Sequence, residues 1–306
     1  MVKDAKSNFF ENKIEENKDN PKKLWQQLKN LGYSKKQKDS AKIVLNIDSK
    51  NCHNQFSIVN YFNIFFTSVA ESLVKKLPTA KGIFSCTCDA IYNFYKKVFY
   101  SNLIFKLKPV TEHFVLKVLQ NLNSSKSTGL DGIPSRFLKD GATVLTKQIT
   151  YIINLSINSG IVPDEFKSAR VCPIYKKSSR LEVGNYRPVS ILAVVSKILE
   201  KAVYNQLENY LVKNNLLYHL QSGFRAKYST DTCLIHLIDH IKDKTAKGLY
   251  TGMVMLDLQK AFDTVDHSIL CKKLKLMSVD STKWFESYLT NRKQKIGING
   301  IESNFL

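Results

Sequence analysis

A chain of 306 residues has room for two domains, or for one large domain with an extension. Its 46 Lys and Arg against 26 Asp and Glu leave a formal charge of +20, which weighs against a purely small-molecule enzyme and points to a polyanionic partner. Six cysteines without paired C-x-x-C spacing, Cys86 and Cys88 among them, argue against a zinc ribbon; an N-terminal stretch that mixes Lys and Glu argues against a signal peptide, and no segment approaches a membrane span, so the expected location is cytoplasmic or nuclear.

Residues 1–108 are polar, lysine-rich and interrupted, with helical patches at Pro21–Leu31 and Phe56–Leu77. In the second, Phe62, Phe65, Phe66, Val69, Leu73 and Leu77 recur at helical spacing and predict a docking helix that covers a core. From Pro109 the pattern changes: Thr111 can cap a helix through Leu122, and a Ser/Lys/Gly loop follows, NSSKSTGLDGIPSRFLK, with Pro134 suited to a helix start. Lys126, Gly129 and Gly132 do not have the G-x-x-x-x-G-K-[ST] spacing of a phosphate-cradling loop, which excludes an NTPase of that kind.

Ala169–Tyr175 reads as a short strand ending in Lys176-Lys177, and Tyr186-Arg187-Pro188 enters a second strand, with a helix from about Ser196. A hairpin with lysine at one base and arginine at the other can close on a triphosphate, since lysine acts as a point charge and arginine grips phosphate oxygens as a fork. After Asn214-Asn215, Ser229 or Thr230 caps an amphipathic helix carrying Leu234, Leu237, Ile238 and Ile241 on one side. His236 and His240 lie one turn apart, but with no H-E-x-x-H pattern and no third ligand they read as surface or packed histidines.

The uncharged run Leu249–Leu256 predicts a buried strand, and Asp257 stands at its C-terminal end, a position where open sheets bind ligands and metal ions. Asp266 is a candidate cap for a helix carrying Ile269, Leu270, Leu274 and Met277. A helix over Trp284–Thr290, a strand, an Asn299-Gly300 hairpin signal and a returning strand complete the chain.

The run D-L-Q-K-A-F-D-T-V-D-H from Asp257 to His267 resembles the first palm motif of reverse transcriptases of non-LTR, LINE-like (jockey-type) retrotransposons. Three further stretches resemble the same family in the same order: K-S-T-G-L-D-G-I-P, the pair P-I-Y-K-K and N-Y-R-P-V-S-I-L, and Q-S-G-F-R. The resemblance implies an α+β right-hand polymerase, with fingers and a partial palm built on a small antiparallel sheet with packed helices. These would occupy residues 109–306, with core motifs in 166–306, after a mainly helical connector over 1–108. It implies two Mg²⁺ ions, with Asp257 as the catalytic metal ligand and Leu258 offering a backbone carbonyl. Lys176 (Lys177 as fallback) and Arg187 would hold the dNTP, and Phe262 would exclude the ribose 2′-OH. Lys126, Gln221 and Arg225 would contact an RNA template or DNA primer, with no membrane and no other small-molecule cofactor involved. A two-ion centre needs several carboxylates, and beyond Asp263 only Asp266, Asp280, Glu286 and Glu302 occur, scattered. The expectation is therefore a chain that is inactive alone. The alternatives are a non-catalytic basic RNA- or DNA-binding remnant, or a fragment that never folds stably.

Overall fold

The computed structural model describes Phe9, Glu11, Asn12, Glu15, Glu16, Asn20, residues 42–75 and residues 104–306. The helical patch expected at Pro21–Leu31, Leu77 and the pair Cys86 and Cys88 lie outside the described residues. The chain divides into two compact units, Met1–Val44 and Leu45–Leu306; the description below concerns the second. No helix of the described residues is long and apolar enough to cross a membrane.

The unit opens with a hairpin, β1 (Leu45–Ile47) and β2 (Lys50–Cys52), turned by Asp48 and Ser49, both at positive φ. Asn54 then caps α1 (Gln55–Val74), its side chain accepting from the Ser57 amide at 3.0 Å. The buried face of α1 is Ile58, Val59, Phe62, Asn63, Phe66 and Val69, with Phe65 and Leu73 half-buried at its margin. This is the docking helix that the aromatic spacing predicts.

Three helices follow: α2 (Glu112–Gln120), α3 (Ser135–Asp140) and α4 (Ala142–Ser159). Thr111 caps α2 through its hydroxyl, which accepts from the Phe114 amide, and Gly160 ends α4 at φ 69°, a left-handed conformation that glycine takes without a Cβ clash. A helical turn at Asp164–Lys167 leads into β3 (Ser168–Tyr175), which pairs antiparallel with β4 (Tyr186–Ile191). Then come α5 (Val194–Lys213), α6 (Thr230–Ala246), α7 (His267–Leu276) and α8 (Thr282–Leu289), and finally β5 (Lys293–Ile298) and β6 (Ile301–Glu302). Asn299 and Gly300 turn that last hairpin at φ 50° and 82°, the mirror-image turn that matches strand twist.

The helical core joins Val115 and Leu119 of α2, Ile149 and Ile153 of α4, Ile198 and Leu199 of α5, Leu274 of α7 and Trp284 of α8. The sheet order is β4-β3-β5-β6, and β3 pairs parallel with β5 from Ser168↔Lys293 to Val171↔Ile296. The sheet is thus mixed and not antiparallel throughout, because the chain reaches β5 only after a long helical crossover, the connection that parallel neighbours require. Helix α1 covers this sheet: Phe62 meets the Tyr186 ring edge-on at 5.0 Å. Asn63, 1 % exposed, donates to the Asn304 carbonyl at 2.8 Å and accepts from Gln294 Nε2 at 2.9 Å.

One expectation from hydrophobic pattern fails. Leu249–Leu256 is neither strand nor buried: Val254, Met255 and Leu256 are each more than 80 % exposed. No strand pairs with this run among the described residues, so it has no ladder to hold it in a sheet. Helix α6 forms where predicted, with Ser229 and Thr232 in a reciprocal capping box, yet none of its residues is buried, so its apolar side is uncovered.

Candidate functional site

Strand alternation decides what the β3–β4 hairpin displays. With Ile174 opposite Arg187 and Tyr175 opposite Tyr186, one face carries Ala169, Val171 and Tyr186, all buried, and packs towards α1. The other carries Arg170, Cys172, Ile174 and Lys176 from one strand and Arg187, Val189 and Ile191 from its neighbour. The Lys176 amide donates to the Asn185 carbonyl at 2.8 Å and closes the last rung. Lys176 and Arg187 are therefore diagonal cross-strand neighbours, roughly 7–8 Å apart by ordinary sheet geometry. Both are exposed, and neither forms an ion pair among the described residues. The loop beyond them is fixed locally: the Tyr175 hydroxyl donates to the Ser178 carbonyl, Tyr186 donates to the Arg180 carbonyl, and the Arg180 guanidinium lies 4.5 Å above the Tyr175 ring. Lys177 is exposed in the same turn.

The Ser/Lys/Gly loop is tied to this face. Arg170 Nη2 donates to the Thr128 carbonyl at 2.8 Å, and the Arg170 stem runs over Gly297 of β5. At Gly129 a Cβ would stand 2.7 Å from the Ala193 nitrogen and 2.8 Å from the Leu192 carbonyl carbon, so only glycine permits the loop to lie against the β4–α5 junction. Lys126 is exposed on this anchored loop.

Q-S-G-F-R is a self-contained turn. Gln221 Nε2 donates to the Gly223 carbonyl at 3.0 Å. Arg225 Nη1 is shared among the carbonyls of Tyr218, His219 and Gln221, and its guanidinium sits 4.1 Å over the Tyr228 ring. Both side chains expected against nucleic acid thus hold their own backbone. Between them Phe224 adopts φ 61°, rare for a bulky residue, is 86 % exposed, and meets Phe262 edge-on at 5.8 Å. The sequence marks Phe224 only as part of the Q-S-G-F-R motif, without a role of its own; its place in an otherwise polar turn was the available signal.

Asp257 and Leu258 are exposed on the extended segment, and Phe262 is 78 % exposed in the turn that follows. Lys260, at φ 52°, brings its ammonium 5.9 Å from the rings of both Phe65 and Phe66, which sets this turn beside α1. Asp266 caps α7 by accepting from Ser268 and Ile269, and the Ser268 hydroxyl bond, with the Ile269 amide next, holds its carboxyl below the usual carboxylate range. Among the described residues no hydrogen bond, ion pair or ring contact links Asp257 to Lys176 or Arg187, and no group of three His, Cys, Asp or Glu could hold a metal ion. His236 and His240 are both exposed. A site without such a group of carboxylates does not fit a two-Mg²⁺ centre.

Residues 174–304 match the family model described as reverse transcriptase (RNA-dependent DNA polymerase). The chain is 24 % identical, over 99 % of its length and 33 % of the relative's, to a probable RNA-directed DNA polymerase from transposon BS of Drosophila melanogaster. It is 28 % identical to the RNA-directed DNA polymerase from mobile element jockey of Drosophila funebris, over 64 % of this chain and 22 % of that one. A probable RNA-directed DNA polymerase from transposon X-element of Drosophila melanogaster is 26 % identical over 58 % of this chain and 20 % of the relative. The chain spans a third or less of the length of these curated relatives. Such enzymes generally use divalent metal ions. Residues 174–304 are thus similar to reverse transcriptases, and the relatives named here are RNA-directed DNA polymerases of non-LTR, LINE-like mobile elements.

Proposed function

We propose that this chain supplies the nucleotide- and template-gripping part of an RNA-directed DNA polymerase that joins a dNTP to a primer 3′-OH. Residues 109–306 form the fingers and the first part of the palm, and the preceding segment serves as connector. The carrying observation is that Lys176 and Arg187 stand as diagonal neighbours on one exposed face of the β3–β4 hairpin, with the Lys126 loop anchored there by Arg170. Arg187 holds two phosphate oxygens as a fork, and Lys176 balances the remaining charge. Phe262 occupies the space beside the sugar, and the Lys126 loop lies along the RNA template. Divalent metal would activate the primer hydroxyl in the whole enzyme, with Asp257 as one of several ligands and the Leu258 carbonyl beside it. The carboxylates described here do not complete that centre, so this chain alone does not extend a primer. It acts in the cytoplasm or nucleus.

Two measurements test this reading. Magnesium-dependent extension of a DNA primer on an RNA template by the purified chain, abolished by Asp257→Asn, would overturn its inactivity. Photo-crosslinking to a dNTP analogue should fall about tenfold or more in Arg187→Ala and Lys176→Ala, since each removes a charge-assisted contact of about 1.5–3 kcal/mol. A second reading, a non-catalytic nucleic-acid-binding remnant, is favoured by the +20 charge and by the lack of a three-ligand metal group among the described residues. It predicts RNA binding that ignores Asp257→Asn and no preference for nucleoside triphosphate over monophosphate.

A further inference from the structure

The segment Ile104–Lys108 is held more firmly than its lack of regular structure suggests. The Phe105 amide donates to the Ser278 carbonyl, the Asp280 amide to the Phe105 carbonyl, and the Leu107 amide to Ser281 Oγ. On its other side Gln206 of α5 bonds both polar groups of Lys108: the Lys108 amide donates to Oε1 at 2.8 Å, and Nε2 donates to the Lys108 carbonyl at 2.9 Å. A chain pinned along both edges alternates its side chains, so Phe105 is buried while Ile104, Lys106 and Lys108 point outward.

Facing it, α5 presents Gln206, Asn209, Tyr210 and Lys213, one helical stripe at i, i+3, i+4 and i+7. The two walls enclose an open cavity of about 380 Å³, within the range of small-ligand sites. No carboxylate lines it. Lys106 is paired with Asp280 at 3.0 Å, whereas Lys108 and Lys213 have no acidic partner among the described residues. The exposed Asn209 amide likewise makes no side-chain bond among them, and Ile104 and Tyr210 supply apolar surface.

We propose that this cavity is a second nucleic-acid contact, distinct from the β3–β4 face, which takes one nucleotide of a single-stranded RNA. Lys108 and Lys213 hold its phosphates, the base lies against Ile104 and Tyr210, and Asn209 bonds the base edge. Two uncompensated ammonium groups over an apolar wall are the pairing that unstacked strands require: charge for the backbone and a flat surface for the base. An acidic peptide would match the charge alone.

The test is fluorescence anisotropy of the full 306-residue chain with a labelled 12-mer oligouridylate. Lys108→Gln with Lys213→Gln should weaken binding about tenfold or more and lower the slope of log affinity against log salt by about 1.4, as two lost phosphate contacts require for single strands. A control pair with the same charge change, Lys117→Gln with Lys147→Gln, should shift affinity less than twofold, and 4-thiouridine crosslinks should map to residues 104–108 or 209–214. Equal losses in the two pairs, crosslinks confined elsewhere, or equal competition by polyglutamate of matched charge would each overturn the proposal. Failure of the polymerase reading is separable: loss of triphosphate selectivity that is unaffected by Arg187→Ala bears on the hairpin and leaves the cavity's RNA contact standing. A wild-type chain that binds no RNA overturns both.

Discussion

At the scale of single residues, backbone approach and hydrogen-bond satisfaction set what can change. Gly129→Ala would press a methyl group on the main chain of Leu192 and Ala193, neither of which can turn aside, at a cost of about 1–3 kcal/mol. Urea denaturation should show that loss, together with weaker RNA binding through the displaced Lys126 loop. Tyr288 gives a pH signature. Burial first, and the hydrogen bond to Glu200 next, push its phenol up to about 12. Since the folded value lies above the unfolded one of about 10, this contribution is fully present below pH 10 and lost as pH rises from about 10 towards 12. Tyr288→Phe should flatten that alkaline decline in thermal stability and cost roughly 1 kcal/mol at neutral pH, where the bond to Glu200 disappears.

At the scale of elements, sequence was most informative where the deciding chemistry is local. The caps at Thr111, Ser229 and Asp266 and the Asn299-Gly300 turn depend on side chains within three residues of the backbone they serve. The hairpin that presents Lys176 and Arg187 was legible for the same reason. The rest depends on distant partners. Nothing near Ser168 announces that it will pair parallel with Lys293, and no periodicity reveals that Arg225 spends its guanidinium on three nearby carbonyls. The run Leu249–Leu256 has the composition of a buried strand, but burial requires a neighbour that composition does not supply. Helix α6 makes the point measurable. Leu234→Glu and Ile238→Glu should each change stability by less than about 0.5 kcal/mol, because both side chains are about half exposed on a helix without a buried residue. In contrast, Ile153→Ala in α4, at 0 % exposure, should cost about 2–5 kcal/mol. Thermal denaturation of the three variants checks the contrast.

At the scale of the whole unit, helix α1 is part of the sheet's architecture. Asn63→Ala would strand the Gln294 amide and the Asn304 carbonyl in a buried setting and cost about 1–3 kcal/mol, readable in urea denaturation. Elsewhere in the unit, Val254, Met255 and Leu256 form an uncharged, exposed extended run, the kind of backbone that a second copy can pair with. Val254→Lys should slow aggregation, followed by light scattering, while leaving the unfolding midpoint unchanged.

The grip of Asn63 on Asn304 joins positions 241 apart in sequence. A ribosome releases the helix long before it makes the strand whose edge that helix must hold. Phe62 and Phe66 therefore wait for part of their cover, and helix and strand can join through Asn63 only when Gln294 and Asn304 have emerged. Closure of this helix on its strand is consequently a late step, and the interval before it is when a chaperone would have the most apolar surface to hold.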